Sequence, residues 1–418
     1  MFLKEPDYEA VWRDQNLWWI GLFYMTQGVA FGALVFLPAY LRFLGLDTFS
    51  SIVWQAVIML PWYLKIIFGL LSDNVPLRSW GRRKPYIFIA AAFGLIGWLA
   101  IPFVGSALGF GILLVVVGLL ASTGAAMSDA VIDAMAVDVT PPRRRGSIQG
   151  VSWGFRGLGL GVAAVTFGLL SNADQWSLVF LIPGLLLSAF TFLTLIIKEN
   201  PLPDDFKAMP MSTYKDVFSQ RNVQICLLFQ LISGLGIAIV PILQTFLQEG
   251  IGFDLITVGI VFTVFSLGWF IGALIFGYLG DRLSMKRTFP ILTLLYSIAI
   301  LAAILMAPVQ TMVIITSGFF FLVGLANGGY EATYMHIGMD NSPSVLAGTM
   351  MNLYNSLSNL GQLAIGAIII AALVSVFTVM GLPYPYALGW QIAILFLWIA
   401  FLPGWILIKR YRRHEKDE

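Results

Sequence analysis

Long apolar runs separated by short polar breaks dominate this chain. Twelve runs predict helical spans, at roughly 16–44, 49–72, 86–106, 109–139, 148–171, 175–198, 223–248, 254–280, 289–307, 309–338, 347–377 and 384–408. Each is long enough to cross a hydrocarbon core of about 30 Å as a helix. Only one break is long, the polar stretch 199–222, and it divides the spans six and six. The pattern predicts an all-α membrane protein. A six-helix bundle covers 1–198, a cytoplasmic linker 199–222, and a second six-helix bundle with a basic tail 223–418. The first residues mix acids and bases without a cleavage pattern, so no signal peptide is expected before the first span.

Composition agrees with this pattern. The 418 residues are 59% hydrophobic and 11% charged, against about 25% charged in a soluble domain. The single cysteine, Cys226, lies inside an apolar run and cannot form a disulfide within one chain. Charge position is more informative than the net charge of +2. With both termini cytoplasmic, the inner segments hold 21 of the 24 Lys and Arg residues, the outer loops only Arg42, and the spans Lys65 and Arg156. That asymmetry predicts a multi-pass plasma-membrane protein with both ends inside.

The two halves echo each other. Asp138-x-Thr140-Pro141 recurs 202 positions later as Asp340-x-Ser342-Pro343, and at that offset Asp129 falls on Glu331. Gln27 and Pro38 meet Gln230 and Pro241 at an offset of 203, and GLLSD (69–73) meets GYLGD (277–281) at 208. Several matches at nearly one offset predict a duplicated six-helix unit, as in transporters whose site lies between two repeats.

The stretch GLLSDNVPLRSWGRRKPYI (69–87) resembles the loop between the second and third helices of the major facilitator superfamily, G-x-x-x-D followed by basic residues. Within that superfamily, LPWYLKIIFGLLSD and SDAVIDAMAVDVTPPRRRGSIQGVSWGFRGLG are similar to the branch of folate–biopterin transporters, muropeptide permeases and acetyl-CoA transporters. The resemblance implies twelve helices in two pseudo-symmetric bundles and transport by alternating access. It also implies a cytoplasmic gate of Asp73, Arg82, Arg83, Asp138, Asp281, Arg282 and Asp340. GRRKPYI is also similar to a loop of cation-coupled sugar symporters.

Charged side chains inside a span cost roughly 2.5–3.5 kcal/mol and usually face the bundle interior. Here they are Lys65, Asp129, Asp133, Arg156, Glu331 and His336. At 1.5 Å per residue, Lys65, Asp129, Arg156 and Glu331 all lie about 12–16 Å from the inner ends of their helices. Four helices therefore bring charge to one level, as an aqueous chamber between the halves requires. Asp129 and Asp133, four apart, share a face and repel unless a base intervenes. Pairing of Asp133 with Arg156 would tie helices together structurally. Lys65 is then open to an anionic solute while Asp129 exchanges a proton. Glu331, with only His336 as a base in its own half, suits proton coupling, as do Asp129, Asp133 and His336. Gln27, Gln230, Tyr330, Tyr334 and Tyr354 join Lys65, Asp129 and Arg156 as candidate solute contacts, the tyrosines by stacking on a flat ring. Helix packing is the competing reading for each.

No nucleotide-binding loop, soluble domain or paired His/Cys metal motif accompanies these residues, so neither an enzyme nor a bound cofactor or metal is expected. The expected partners are a small organic solute, protons and the lipid bilayer, with no nucleic acid, and a monomer is expected. The solute is expected to be anionic or amphipathic, of the folate/pterin, muropeptide or coenzyme class. A sugar symporter, or a non-transporting pigment or lipid-delivery factor, are the rival readings.

Overall fold

The computed structural model describes residues 15–75, 83–140, 144–196, 209–306, 312–343 and 346–417, and all their regular structure is helical. The N-terminal half comprises α1 (Gln15–Phe43), α2 (Thr48–Ile58), α3 (Leu60–Tyr63), α4 (Lys65–Asn74), α5 (Lys84–Leu108), α6 (Ile112–Val139), α7 (Arg145–Asn172) and α8 (Trp176–Ile196). A short α9 (Met211–Ser219) precedes the C-terminal half. That half is built from α10 (Arg221–Gly236), α11 (Ile239–Thr245), α12 (Leu255–Leu283), α13 (Met285–Met306), α14 (Val313–Asp340), α15 (Ala347–Asn359), α16 (Ala367–Val379), α17 (Pro385–Gly389) and α18 (Ile392–Asp417). Among the described residues, ten helices are long and apolar enough to cross a membrane; α8 and the region of α2 to α4 complete the twelve spans.

Burial is inverted relative to a water-soluble protein. Lys65, Asp129 and Glu331 are fully buried, while Phe103, Ile112, Leu185, Ile314 and Leu402 on outer helices are more than 60% exposed. Such a surface is stable only against hydrocarbon.

Four predicted spans are not continuous helices. Pro61, which lacks an N–H and obstructs the preceding turn, separates α2 from α3, and a second interruption at Leu64 sets Lys65 at the start of α4. The freed backbone groups find partners across the molecule. Ser356 Oγ accepts from the Ile66 N–H at 3.1 Å, and Asn359 Nδ2 donates to the Trp62 carbonyl at 3.4 Å. Non-helical backbone at membrane depth persists only with such compensation. The span 223–248 breaks at Ile237 and Ala238 between α10 and α11 and ends in a π-helical turn, Phe246–Gly250. A π-helical turn at Leu360–Gly366 separates α15 from α16, and Trp390 and Gln391 separate α17 from α18.

The halves meet most extensively along α7 and α12. Two glycines of the VSWGFRGLG segment serve this contact: Gly154 and Gly157 of α7 lie against Phe270 and Trp269, while Gly159 lies against Met25 and Gly28 of α1. At Gly150 and Gly277 the two backbones approach so closely that a Cβ on either would strike the other helix.

Candidate functional site

The interruption at Leu64 aims the first side chain of α4 into the bundle. Lys65 Nζ donates to Asp129 and, at 2.7 Å, to Asp133 Oδ2, so one ammonium bridges two carboxylates four residues apart on α6. Asp133 Oδ1 also accepts from the Tyr24 hydroxyl of α1, and Asp133 Oδ2 from Asn355 Nδ2 of α15 at 2.7 Å. Arg156 Nη1 is 3.8 Å from Asp129 Oδ2. The guanidinium carbon lies 4.8, 5.0 and 4.9 Å from the ring centroids of Phe31, Trp62 and Trp153, an aromatic cage from α1, α3 and α7.

This arrangement corrects the pairing expected from sequence. Asp133 is the partner of Lys65, not of Arg156, and Arg156 faces Asp129. The reason is local, because only the break before α4 lets Lys65 reach across two turns of α6. Lys65 is thereby satisfied from within the protein rather than left open to an anion.

Glu331 of α14 is different. Both carboxylate oxygens are buried without a hydrogen-bond partner among the described residues. Arg156, across the seam between the halves, and Asn327, one turn back on α14, both act on it. His336 does not serve it; His336 Nε2 instead lies 3.4 Å from Asp340 Oδ2, one turn along.

Further buried polar atoms lack hydrogen-bond partners among the described residues: both amide atoms of Gln27, Asp129 Oδ1, Arg156 Nε and Nη1, and Gln230 Oε1. Gln230 Nε2 donates to the Tyr334 carbonyl at 3.1 Å. The candidate tyrosines are engaged within the C-terminal half. The Tyr330 ring lies beside those of Phe289 and Tyr296; the Tyr334 hydroxyl meets Ser358 Oγ at 2.8 Å; the Tyr354 hydroxyl donates to the Asn341 carbonyl at 3.2 Å.

At the basic end, Asp73 pairs with Arg83 at 2.6 Å and accepts from Thr349 Oγ1 of α15 at 2.6 Å. Asp281 accepts from the Gly146 and Ser147 N–H groups at 2.8 Å each and from Ser147 Oγ at 2.5 Å. A carboxylate from one half thus caps the first turn of a helix in the other, where the helix dipole favours negative charge. Arg145 Nη1 is 3.3 Å from Asp340 Oδ1. Arg282 departs from the expected set, lying over the ring of Tyr278 on its own helix, 5.2 Å away. Arg82 and the side chain of Asp138 lie outside the described residues.

The opposite end is closed by a cluster that sequence reading missed. Arg42 of α1 reaches Gln248 Oε1 at 2.6 Å, Gln244 Oε1 at 3.3 Å and Glu249 Oε1 at 3.2 Å, all in or beside the π-turn after α11. Tyr24 and Asn355 were also missed. Asn355 had a readable signal, since Asn352, Asn355, Ser356 and Asn359 recur at helical spacing in an otherwise apolar run. Tyr24 had none.

A family model described as the Major Facilitator Superfamily matches residues 62–366, and the chain belongs to that superfamily. Similar relatives include a probable folate-biopterin transporter 4 of Arabidopsis thaliana, 31% identical over 143 residues, which are 33% of this chain and 28% of the relative. The folate-biopterin transporter of Synechocystis sp. is 29% identical over 181 residues, 40% of this chain and 35% of the relative. A probable folate-biopterin transporter 7 of Arabidopsis thaliana is 26% identical over 246 residues, 55% of this chain and 54% of the relative. The chain therefore spans between about a quarter and about half the length of these relatives. These matches support the folate–biopterin branch read from the helix-two and helix-four motifs. Two solved structures share the fold. A bacterial homologue of the iron transporter ferroportin, in an outward-facing state, has a TM-score of 0.64 at 13% identity, covering 96% of this chain and 100% of that one. A bacterial homologue of the lysosomal transporter Spinster, inward-facing, has a TM-score of 0.66 at 16% identity, covering 98% and 99%.

Proposed function

We propose that this protein is a secondary transporter that carries an organic solute of the folate/pterin kind between its two halves by alternating access, coupled to protons. The observation that carries the reading is the set of buried, unpartnered polar atoms on Gln27, Asp129, Arg156, Gln230 and Glu331. Buried polar groups normally find partners, and a flat ring bearing amide and amino groups supplies both donors and acceptors for such a set. The relatives' names support the same solute class. Lys65 is already held by two carboxylates, so in this reading it maintains the shape of the site, while Arg156 and Gln27 meet the solute. Glu331, which forms no ion pair among the described residues, carries the proton. The basic end faces the cytoplasm of a plasma membrane, as the Lys and Arg distribution predicts, and the carrier acts as a monomer.

Thermal-shift titration of the purified protein with folic acid, biopterin and a panel of sugars tests the solute class. The pterins are expected to raise the melting temperature; a response to sugars alone would overturn the assignment. In proteoliposomes, Glu331→Gln is expected to abolish gradient-driven uptake while sparing counterflow exchange. Uphill uptake persisting in that variant would remove Glu331 from proton coupling.

A further inference from the structure

Asp133 is held by three helices other than its own. Lys65 reaches it from α4, the Tyr24 hydroxyl from α1 and Asn355 Nδ2 from α15. Among these partners only Asn355 belongs to the opposite half. Its side chain is buried, and its amide oxygen has no hydrogen-bond partner among the described residues.

Thr349, at the basic end of α15, meets the Asp73 carboxylate, but the polar residues flanking Asn355 behave differently. Asn352 donates to the Ala130 carbonyl at 3.0 Å, Ser356 accepts from the Ile66 N–H, and Asn359 donates to the Trp62 carbonyl. Those partners are backbone groups, whose hydrogen-bonding character never changes. The partner of Asn355 is a carboxyl group, which can gain or lose a proton. A carboxylate only accepts, whereas a carboxylic acid also donates. A primary amide carries a donor and an acceptor on one carbon, so a half-turn of the Asn355 side chain exchanges Nδ2 for the free Oδ1. The Tyr24 hydroxyl can reverse in the same way; the Lys65 ammonium cannot, but it keeps Asp129.

We infer that Asn355 is a proton-tolerant clasp, a positioning residue that keeps α15 joined to the N-terminal charge cluster whether Asp133 is ionised or protonated. The charged and titratable groups around Asp133 are Lys65 from α4, Asp129 from α6 and Tyr24 from α1, with Arg156 of α7 acting through Asp129. The clasp lets a proton enter the cluster without parting the halves. Its use in transport rests on the function proposed above, but the closure itself can be tested without solute.

The test uses the full-length protein in detergent with Cys226→Ser and a reporter cysteine, Ala134→Cys. Ala134 is buried on α6 beside Gly348 of α15, so a cysteine there becomes reactive to a polar maleimide only when the seam opens. All rates are taken relative to labelling of the same cysteine in the denatured protein at the same pH, so that the change in thiolate fraction cancels. On that scale, with Asn355 intact, labelling is expected to be slow and equal within about twofold at about pH 5 and about pH 8. Asn355→Ala is expected to raise the rate about tenfold or more at both. Asn355→Asp sets carboxylate against carboxylate, so labelling should rise at the higher pH and return to the parental rate at the lower one, where the pair shares a proton. Parental rates in both variants, or pH-independent labelling of Asn355→Asp, would overturn the clasp. So would parental labelling that itself changes with pH. Should Asn355→Ala fail to fold, the pH response of Asn355→Asp still decides. Absence of pterin binding by the parent protein would overturn the proposed solute but leave these rates unaffected.

Discussion

The two halves handle buried charge in opposite ways. In the N-terminal half, Lys65 and Arg156 face Asp129 and Asp133, and hydrogen bonds from Tyr24 and Asn355 complete the cluster. In the C-terminal half, Glu331 occupies the repeat-equivalent position of Asp129 yet has no hydrogen-bond partner among the described residues. The sequence offset of 202 puts an acid at matching points of two helices, and only Asp129 sits in a network of salt bridges. A buried ion pair contributes little net stability, but breaking one side of it is costly. The paired cluster is therefore where substitution is expected to threaten the fold most, and Glu331 is where it is expected to threaten it least.

Stability measurements can break that contrast. Lys65→Ala leaves two carboxylates four residues apart with Arg156 beside only one, and should cost about 3–5 kcal/mol, seen as a large fall in melting temperature. Adding Asp133→Asn should recover part of the loss; an additive double mutant would show that the two groups do not act as a pair. Arg156→Lys keeps the charge but loses the planar stack in its aromatic cage, with an expected cost of about 1–2 kcal/mol. Asp47→Ala, outside the membrane spans, removes the N-cap of α2, where the Asp47 carboxylate accepts from the Ser50 N–H at 2.9 Å; about 1 kcal/mol should be lost. The same hydrogen bonds from Ser50 hold the Asp47 carboxyl below its usual range. Its contribution is thus present above the ordinary carboxylate pKa and lost as pH falls through the depressed value. Faster hydrogen exchange at the start of α2 in acid would record this. Glu331→Gln should change stability least, by about 0.5 kcal/mol or less, with the melting temperature level or raised. A large fall would mean that Glu331 belongs to a structural network after all.

Much of the architecture was legible because the bilayer restricts the options so severely. Apolar runs at membrane length read directly as helices, and the offset of 202 aligned Asp129 with Glu331 before any coordinates. The level shared by Lys65, Asp129, Arg156 and Glu331 followed from counting rise per residue. Partner choice did not follow. Nothing in LPWYLK reveals how far the helix break at Leu64 redirects Lys65, and nothing near Tyr24 marks it as a ligand of Asp133. The Arg42 cluster joins residues about 200 positions apart, with no local pattern to signal it.

Hydropathy and charge placement alone were enough to specify a helical protein with twelve membrane spans in two bundles. Hydrocarbon excludes unpaired backbone and scattered charge, so composition and periodicity leave little choice. Only the tertiary structure decided which acid met which base, which carboxylate stayed alone, and that α15 crosses to Asp133. Those outcomes depend on ångström-scale approach between helices distant in the chain, set by the broken turn at Leu64 and the close backbone contacts at Gly150 and Gly277.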